Sequence, residues 1–226
     1  MRRPLVRSEQ HGTKDSYNKH SPSFNHGSPL QLRWRGVRGE VLFTTFDSTT
    51  EHTQMKYPRR LSSGANNIVL ALNKTEVAKL FLEDTRSDLG SEAEKMKFAN
   101  NVNELICRFL RLDIDETLKA EMLVMERIYP IDYRAYEVEK RELWFDVFQD
   151  ELIGLHRAGF VHRDLKRPSG EGGLQFDNIL LTENGLRLID VGISYLKVQV
   201  GETIFSKAVE IEMNELLEFK DYFLNR

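Results

Sequence analysis

The chain has 226 residues, 40% apolar and 30% charged, and its 32 basic and 35 acidic side chains leave a formal net charge of -3. That is enough apolar material for one core, and the charge balance excludes a general attraction to nucleic acid. Cys107 is the single cysteine, which excludes an internal disulfide framework and a cysteine zinc cluster and fits a reducing compartment. No apolar run reaches the ~18 residues that span a bilayer.

Residues 1–38 hold Arg2, Arg3, Arg7, Lys14, Lys19, Arg33, Arg35 and Arg38 against only Glu9 and Asp15, among many Ser, His, Asn and Gly. So little apolar surface cannot offset ordering entropy, and a disordered basic tail is expected. It lacks the apolar middle of a secretory signal peptide; a plain tail, a non-cleaved export signal and an organelle-targeting segment stay open. Residues 41–46 read as a short strand, and 56–61 lead into a second strand-rich region. The apolar runs 68–72 and 77–81 flank Asn73-Lys74-Thr75-Glu76, which predicts a hairpin.

A helix is expected over 91–109, where Ala93, Met96, Ala99 and Val102 recur at helical spacing and Ser91 is available as a cap. Residues 122–125 read as a buried strand, with Pro130 just beyond its end. Over 136–158, Trp144, Val147, Phe148, Leu152 and Leu155 keep to one face of a long amphipathic helix that stops at Gly159. Residues 179–182 and 186–189 surround Glu183-Asn184-Gly185, a strong hairpin signal. Helical periodicity over 206–224 closes the chain, and no internal repeat is present.

Three polar motifs follow one another in the last third of the chain: His162-Arg163-Asp164-Leu165-Lys166, Asn178-Ile179-Leu180-Leu181 and Ile189-Asp190-Val191-Gly192. Each alone has a bland reading, an exposed charged turn or a turn-capping Asp. Their order and apolar flanks resemble the catalytic core of the protein kinases. The resemblance implies an α+β, two-lobed protein kinase-like fold: a mainly antiparallel β N-lobe plus one helix over about 39–126, a hinge at about 126–130, and a reduced helical C-lobe over about 131–226. It implies ATP and Mg2+ as cofactors, because phosphoryl transfer needs positioned carboxylates, metal and cations around a spreading negative charge.

By the same resemblance Asp164 is the catalytic base, Lys166 neutralises the transferred phosphate, and His162 and Arg163 brace the loop. Asp190 and the side-chain oxygen of Asn178 are the implied magnesium ligands. The family places its Asn five residues after the base, whereas Asn178 stands fourteen after Asp164, so residues 167–177 read as an inserted, Gly-rich excursion. Such an insertion costs little, and the ends can still meet. Asp177 and Asn178 both stay open as the metal-facing residue, although Asn178 alone keeps register with Ile179-Leu180-Leu181.

Upstream, Val77-Ala78-Lys79 resembles the strand whose lysine holds the nucleotide's inner phosphates, with an ordinary solvated edge lysine as the bland alternative. Its carboxylate partner is Glu92 or Glu94; Glu92 is preferred because Met96 and Ala99 lie on its face at i+4 and i+7. Residues 62–69 fit the phosphate-covering turn with only Gly64 kept of three glycines, followed by Val69. Residues 123–128 resemble the strand and hinge against which adenine stacks, with Met125 lining the back and Glu126 to Ile128 offering backbone hydrogen bonds.

After Gly192 only 34 residues follow, with no Ala-Pro-Glu segment. The resemblance is therefore to a minimal serine/threonine kinase, similar to the short kinases that some bacteria deliver into host cells. Residues 193–205 are too few for a long regulated loop, so activity is expected not to depend on phosphorylation there. Glu210, Glu212 and Glu215 on the last helix read either as braces of the catalytic loop or as a solvated face. The expected activity is transfer from ATP to a serine or threonine hydroxyl of a protein partner. A small-molecule, sugar or lipid acceptor and a non-catalytic binding module are the alternatives. The resemblance leaves room for an activating protein partner, and the expected location is cytoplasmic, in the cell of origin or in a host cell.

Overall fold

The computed structural model describes residues 33–36, 39–42, 57–63, 68–81, 88–167 and 176–225. Strands β1 (Arg33–Gly36) and β2 (Gly39–Leu42) pair antiparallel, so residues 33–36, expected in the basic tail, lie in a strand pair instead. The rest of that tail, and residues 43–46 of the expected strand, lie outside the described residues. Strands β3 (Arg59–Ser63), β4 (Ile68–Ala71) and β5 (Glu76–Phe81) follow. Asn73 shapes the β4–β5 turn: its Oδ1 accepts from the backbone N–H of Thr75 at 2.8 Å and of Glu76 at 2.9 Å.

Helix α1 (Leu89–Asn100) starts at Asp88, whose carboxylate accepts from Gly90 N–H at 3.1 Å; Ser91, the expected cap, lies inside the helix. The helix also stops nine residues short of the expected end. Leu105, Ile106 and Cys107 are three consecutive fully buried residues, which one helix face cannot supply but an extended segment enclosed on both sides can. Asn100 fixes the exit, its Nδ2 donating to Ile106 O at 3.1 Å and its Oδ1 accepting from Phe109 N–H at 2.8 Å. Strand β6 (Phe109–Asp115) then begins, unforeseen above although Leu110-Arg111-Leu112-Asp113-Ile114-Asp115 alternates with period two.

With β7 (Ala120–Glu126) these strands form an antiparallel sheet of order β3-β4-β5-β7-β6. Strand β5 sits in the middle. Val69 and Leu123 stand opposite Lys79, and Met125 stands opposite Val77, so these five side chains share one face. Ala78 and Leu80 alternate to the other face and join Ala120, Met122 and Val124 in a separate apolar cluster.

Helix α2 (Val138–Ala158) ends at Gly159, whose φ of 101° is the left-handed region that closes helices. A Cβ at Gly159 would also lie 3.2 Å from the Lys197 side chain. The buried face of α2 is Arg141, Phe145, Phe148, Leu152 and Leu155, whereas Val147 is 57% exposed and Trp144 half-buried. The stripe is thus turned from the expected one: Phe145 rather than Trp144 and Val147 faces the core, and Arg141 lies inside with a 2.6 Å bond from its Nη1 to Phe223 O.

After β8 (Phe160–Val161), β9 (Ile179–Thr182) and β10 (Gly185–Leu188) form the expected hairpin. Its loop residues are Glu183 and Asn184, since Gly185, at φ 119°, pairs with Thr182. Strand β11 (Tyr195–Leu196) pairs with β8, and α3 (Lys197–Val200) leads into α4 (Glu202–Asn225). Phe219 of α4 stacks near Phe145, Phe148 and Phe176 at ring separations of 6.3, 5.7 and 5.2 Å. The result is an α+β fold: a sheet with one helix, then a helical half. Cys107 N–H to Leu188 O (2.9 Å) and Leu188 N–H to Leu105 O (2.8 Å) join the halves. Among the described residues no helix is long and apolar enough to cross a membrane.

Candidate functional site

Lys79 of β5 places its Nζ 2.8 and 3.0 Å from the two oxygens of Glu92 on α1 and 3.0 Å from Oδ1 of Asp190 beyond β10. Glu94, the other expected partner, is exposed. The side chains of Lys79 and Glu92 are only 7% and 2% exposed, while Asp190 is 40% exposed. Buried charges persist where each has a partner of opposite sign. Burial alone would push the Lys79 ammonium down, but Asp190 and Glu92 outweigh it and hold its pKa above the ordinary lysine value. Burial pushes Glu92 up against the pull of Lys79, and burial of Asp190 is overcome by Lys79, which holds that carboxyl below its ordinary value.

Asp190 has φ 63° and Arg163 φ 70°, conformations that non-glycine residues adopt only when surroundings enforce them. Lys95 Nζ donates to Gly192 O at 3.0 Å, and a Cβ at Gly192 would stand 3.4 Å from Asp190 Oδ1 and 3.6 Å from Glu92 Oε2. Arg163 is held by a 2.8 Å bond to Ile193 O and by its guanidinium lying 3.6 Å over the Tyr195 ring.

The loop carrying Asp164 follows β8 and rests on α4. Buried Glu212 accepts from the backbone N–H groups of His162 and Arg163 and lies 2.8 Å from His156 Nε2. His162 is buried too, with Nε2 3.0 Å from Ile189 O, which ties the loop to the strand before Asp190. Glu210 is exposed. Glu215 receives the backbone N–H of Lys166, yet burial and the charge of Glu212 push its carboxyl up to about 7. Lys166 itself pairs through Nζ with Glu218.

The fourteen-residue gap closes: Asn178 Nδ2 donates to Asp164 O at 2.9 Å and to Asp164 Oδ2 at 2.8 Å. Burial pushes the Asp164 carboxyl up, against Arg167, His162 and Asn178. Sequence reasoning passed over Arg167, treated above only as the first residue of an insertion. Its Nη2 lies 3.0 Å from Asn178 Oδ1 and 3.5 Å from Asp190 Oδ2, and its Nε 3.2 Å from Asp177 Oδ1 and 3.5 Å from Asp164 Oδ2. Asp177 and Asn178 therefore face the same cation. Residues 168–175 lie outside the described residues.

Of the expected nucleotide contacts, Val69 and half-buried Met125 share the Lys79 face, as does Val77. Ala78 does not: the period-two alternation of β5 turns it to the opposite face, so Val77 takes the place expected of it. Met125 Sδ lies 3.5 Å from Cys107 Sγ. The Glu126 carboxylate is occupied by Arg187 and by Arg108 N–H, and half-buried Ile128 packs on the main core. Gly64 lies outside the described residues.

Among the described residues no three His, Cys, Asp or Glu side chains form a metal cluster by themselves. Asp164, Asp177, Asn178 and Asp190 nonetheless offer only hard oxygens around a point where a guanidinium rests. Asp177 Oδ1 is buried and has the ion pair with Arg167 Nε at 3.2 Å but no well-aligned hydrogen bond among the described residues. That donor set fits a magnesium ion whose remaining ligands come from phosphate and water.

No protein-family model matches the chain, and no curated protein matches it in sequence. Its fold is similar to that of the Legionella pneumophila Lpg2603 kinase, determined bound to IP6, at 16% identity, 84% coverage of this chain, 69% of the other and a TM-score of 0.51. The Cydia pomonella granulovirus kinase PK-1 matches at 17% identity, 61% coverage of this chain, 53% of the other and a TM-score of 0.44. The fold is protein kinase-like.

Proposed function

We propose that the chain is an ATP- and magnesium-dependent phosphotransferase acting on a serine or threonine hydroxyl of a protein. One observation carries this most directly: Lys79 joins Glu92 and Asp190 at once, while Asn178 links Asp190's neighbourhood to Asp164. Lys79, positioned by Glu92, holds the inner phosphates. Adenine lies on the face made by Val69, Val77 and Met125 and meets the backbone of Glu126 to Ile128. Asp190 and Asn178 supply the protein oxygens for magnesium, which when bound offsets charge on the phosphate oxygens.

Asp164 orients the attacking hydroxyl and accepts its proton as the oxygen–phosphorus bond forms and ADP departs. A carboxyl raised by burial is better matched to that task than an ordinary one. Lys166 neutralises the transferred phosphate after exchanging Glu218 for it. The partner is a protein carrying the acceptor hydroxyl, in a reducing cytosol, and no nucleic acid is involved.

The test is incubation with labelled ATP, Mg2+ and a cell lysate, with Asp164→Asn as control. Labelled protein bands that vanish in the variant are expected. A labelled small product without bands would move the acceptor to a small molecule, sugar or lipid. Absence of any magnesium-dependent ATP turnover would leave a binding module.

A further inference from the structure

We propose that the guanidinium of Arg167 is the resident cation of the metal pocket: it holds the pocket's oxygens together and competes with the divalent ion for them. This rests on the magnesium site proposed above. The two roles exclude each other atom by atom. Asn178 Oδ1 and Asp190 Oδ2, the oxygens a metal would take, are those that face Arg167 Nη2 at 3.0 and 3.5 Å. The other Asp190 oxygen is held by Lys79, so a metal and Arg167 contend for one atom of that carboxylate.

The charge count gives the arginine its reason. Asp164, Asp177 and Asp190 bring three carboxylates to within 3.5 Å of one side chain, and like charges so placed repel unless a cation sits among them. A guanidinium's planar fork spreads its five donors over a wider span than the compact ammonium of a lysine, which suits oxygens from four separate side chains. Arg167 is also free to leave. Its side chain is 39% exposed, and water can solvate it when it swings out. Loading of metal and nucleotide therefore requires Arg167 to leave, and the metal-free pocket is held in order by it.

Titration of the full chain with Mn2+, read by the electron spin resonance of the free ion, measures the competition without reference to activity. Arg167→Ala and the uncharged, polar Arg167→Gln should each bind Mn2+ about tenfold more tightly than wild type, within the ordinary range of about 5–150-fold for coupled sites. Without metal both should melt below wild type, and saturating Mn2+ should close that gap. Unchanged or weaker Mn2+ binding in both variants overturns the proposal, since a mere structural or phosphate-binding arginine would not oppose the metal. Asp190→Ala separates this from the underlying site: if wild type binds Mn2+ and Asp190→Ala does not weaken it, or if neither wild type nor the Arg167 variants bind any, the metal pocket itself fails.

Discussion

Removing the Lys79 ammonium strands Glu92, whose carboxylate is 2% exposed and takes both its strong contacts from Nζ. Losing one partner of a buried pair costs about 3–5 kcal/mol, so Lys79→Met should lower the unfolding free energy measured by urea titration by about that much as well as abolish transfer. Lys79→Met combined with Glu92→Met should regain part of the loss, because no unpaired buried carboxylate remains and Asp190, far more exposed, can be hydrated. A single variant as stable as wild type would show that the pair is not buried in solution. The Lys79 motif and its preferred partner were legible because both stand in apolar, periodic surroundings. Ala78 was misassigned, although counting by two from Lys79 leads to Val77. Arg167 was not legible at all: a basic residue opening a Gly-rich stretch carries no local signal, and only the folded approach of Asp177, Asn178 and Asp190 gives it a role.

Helix α4 works as a brace. Glu212, Glu215 and Glu218, three residues apart, meet in turn the N–H groups of His162 and Arg163, the N–H of Lys166, and the Lys166 ammonium. In sequence Glu212 and Glu215 read either as braces of the catalytic loop or as a solvated face, and it takes the neighbouring loop to decide for the brace. Replacing Glu212 by Ala leaves buried donors unpaired at about 1–3 kcal/mol each, and amide exchange at His162 and Arg163 should accelerate before global unfolding. Glu215 adds a pH dependence. Its folded carboxyl titrates at about 7 against an ordinary 4.5, so its protonation stabilises the fold fully below pH 4.5, and that stabilisation is lost as pH rises through 7. Glu215→Gln, which cannot ionise, should raise the melting temperature at pH 8 and change it little at pH 5; an equal shift at both would refute the assignment. Elements with one clear period, such as β4, β5, α2 and α4, were legible. Strand β6 and the early end of α1 were not, since the buried run at 105–107 continues the apolar count of the helix while changing its geometry.

The fold class was legible through the resemblance that the three polar motifs carry, but the union of the two halves depends on contacts between residues more than a hundred positions apart, such as Lys79 with Asp190. A ligand that engages both halves adds its binding free energy to folding. At a hundredfold excess over its dissociation constant, a non-hydrolysable ATP analogue with Mg2+ should add about 2.7 kcal/mol. For a chain of this size that corresponds to about 5–11 °C in the melting temperature. Asp190→Ala should abolish the magnesium-dependent part of the shift, because it removes a proposed metal ligand that also touches Lys79 from the helical half. A shift that survives Asp190→Ala in full would mean that the nucleotide binds without bridging the halves, and the proposed pocket would then be wrong in its geometry, whatever the chain's activity.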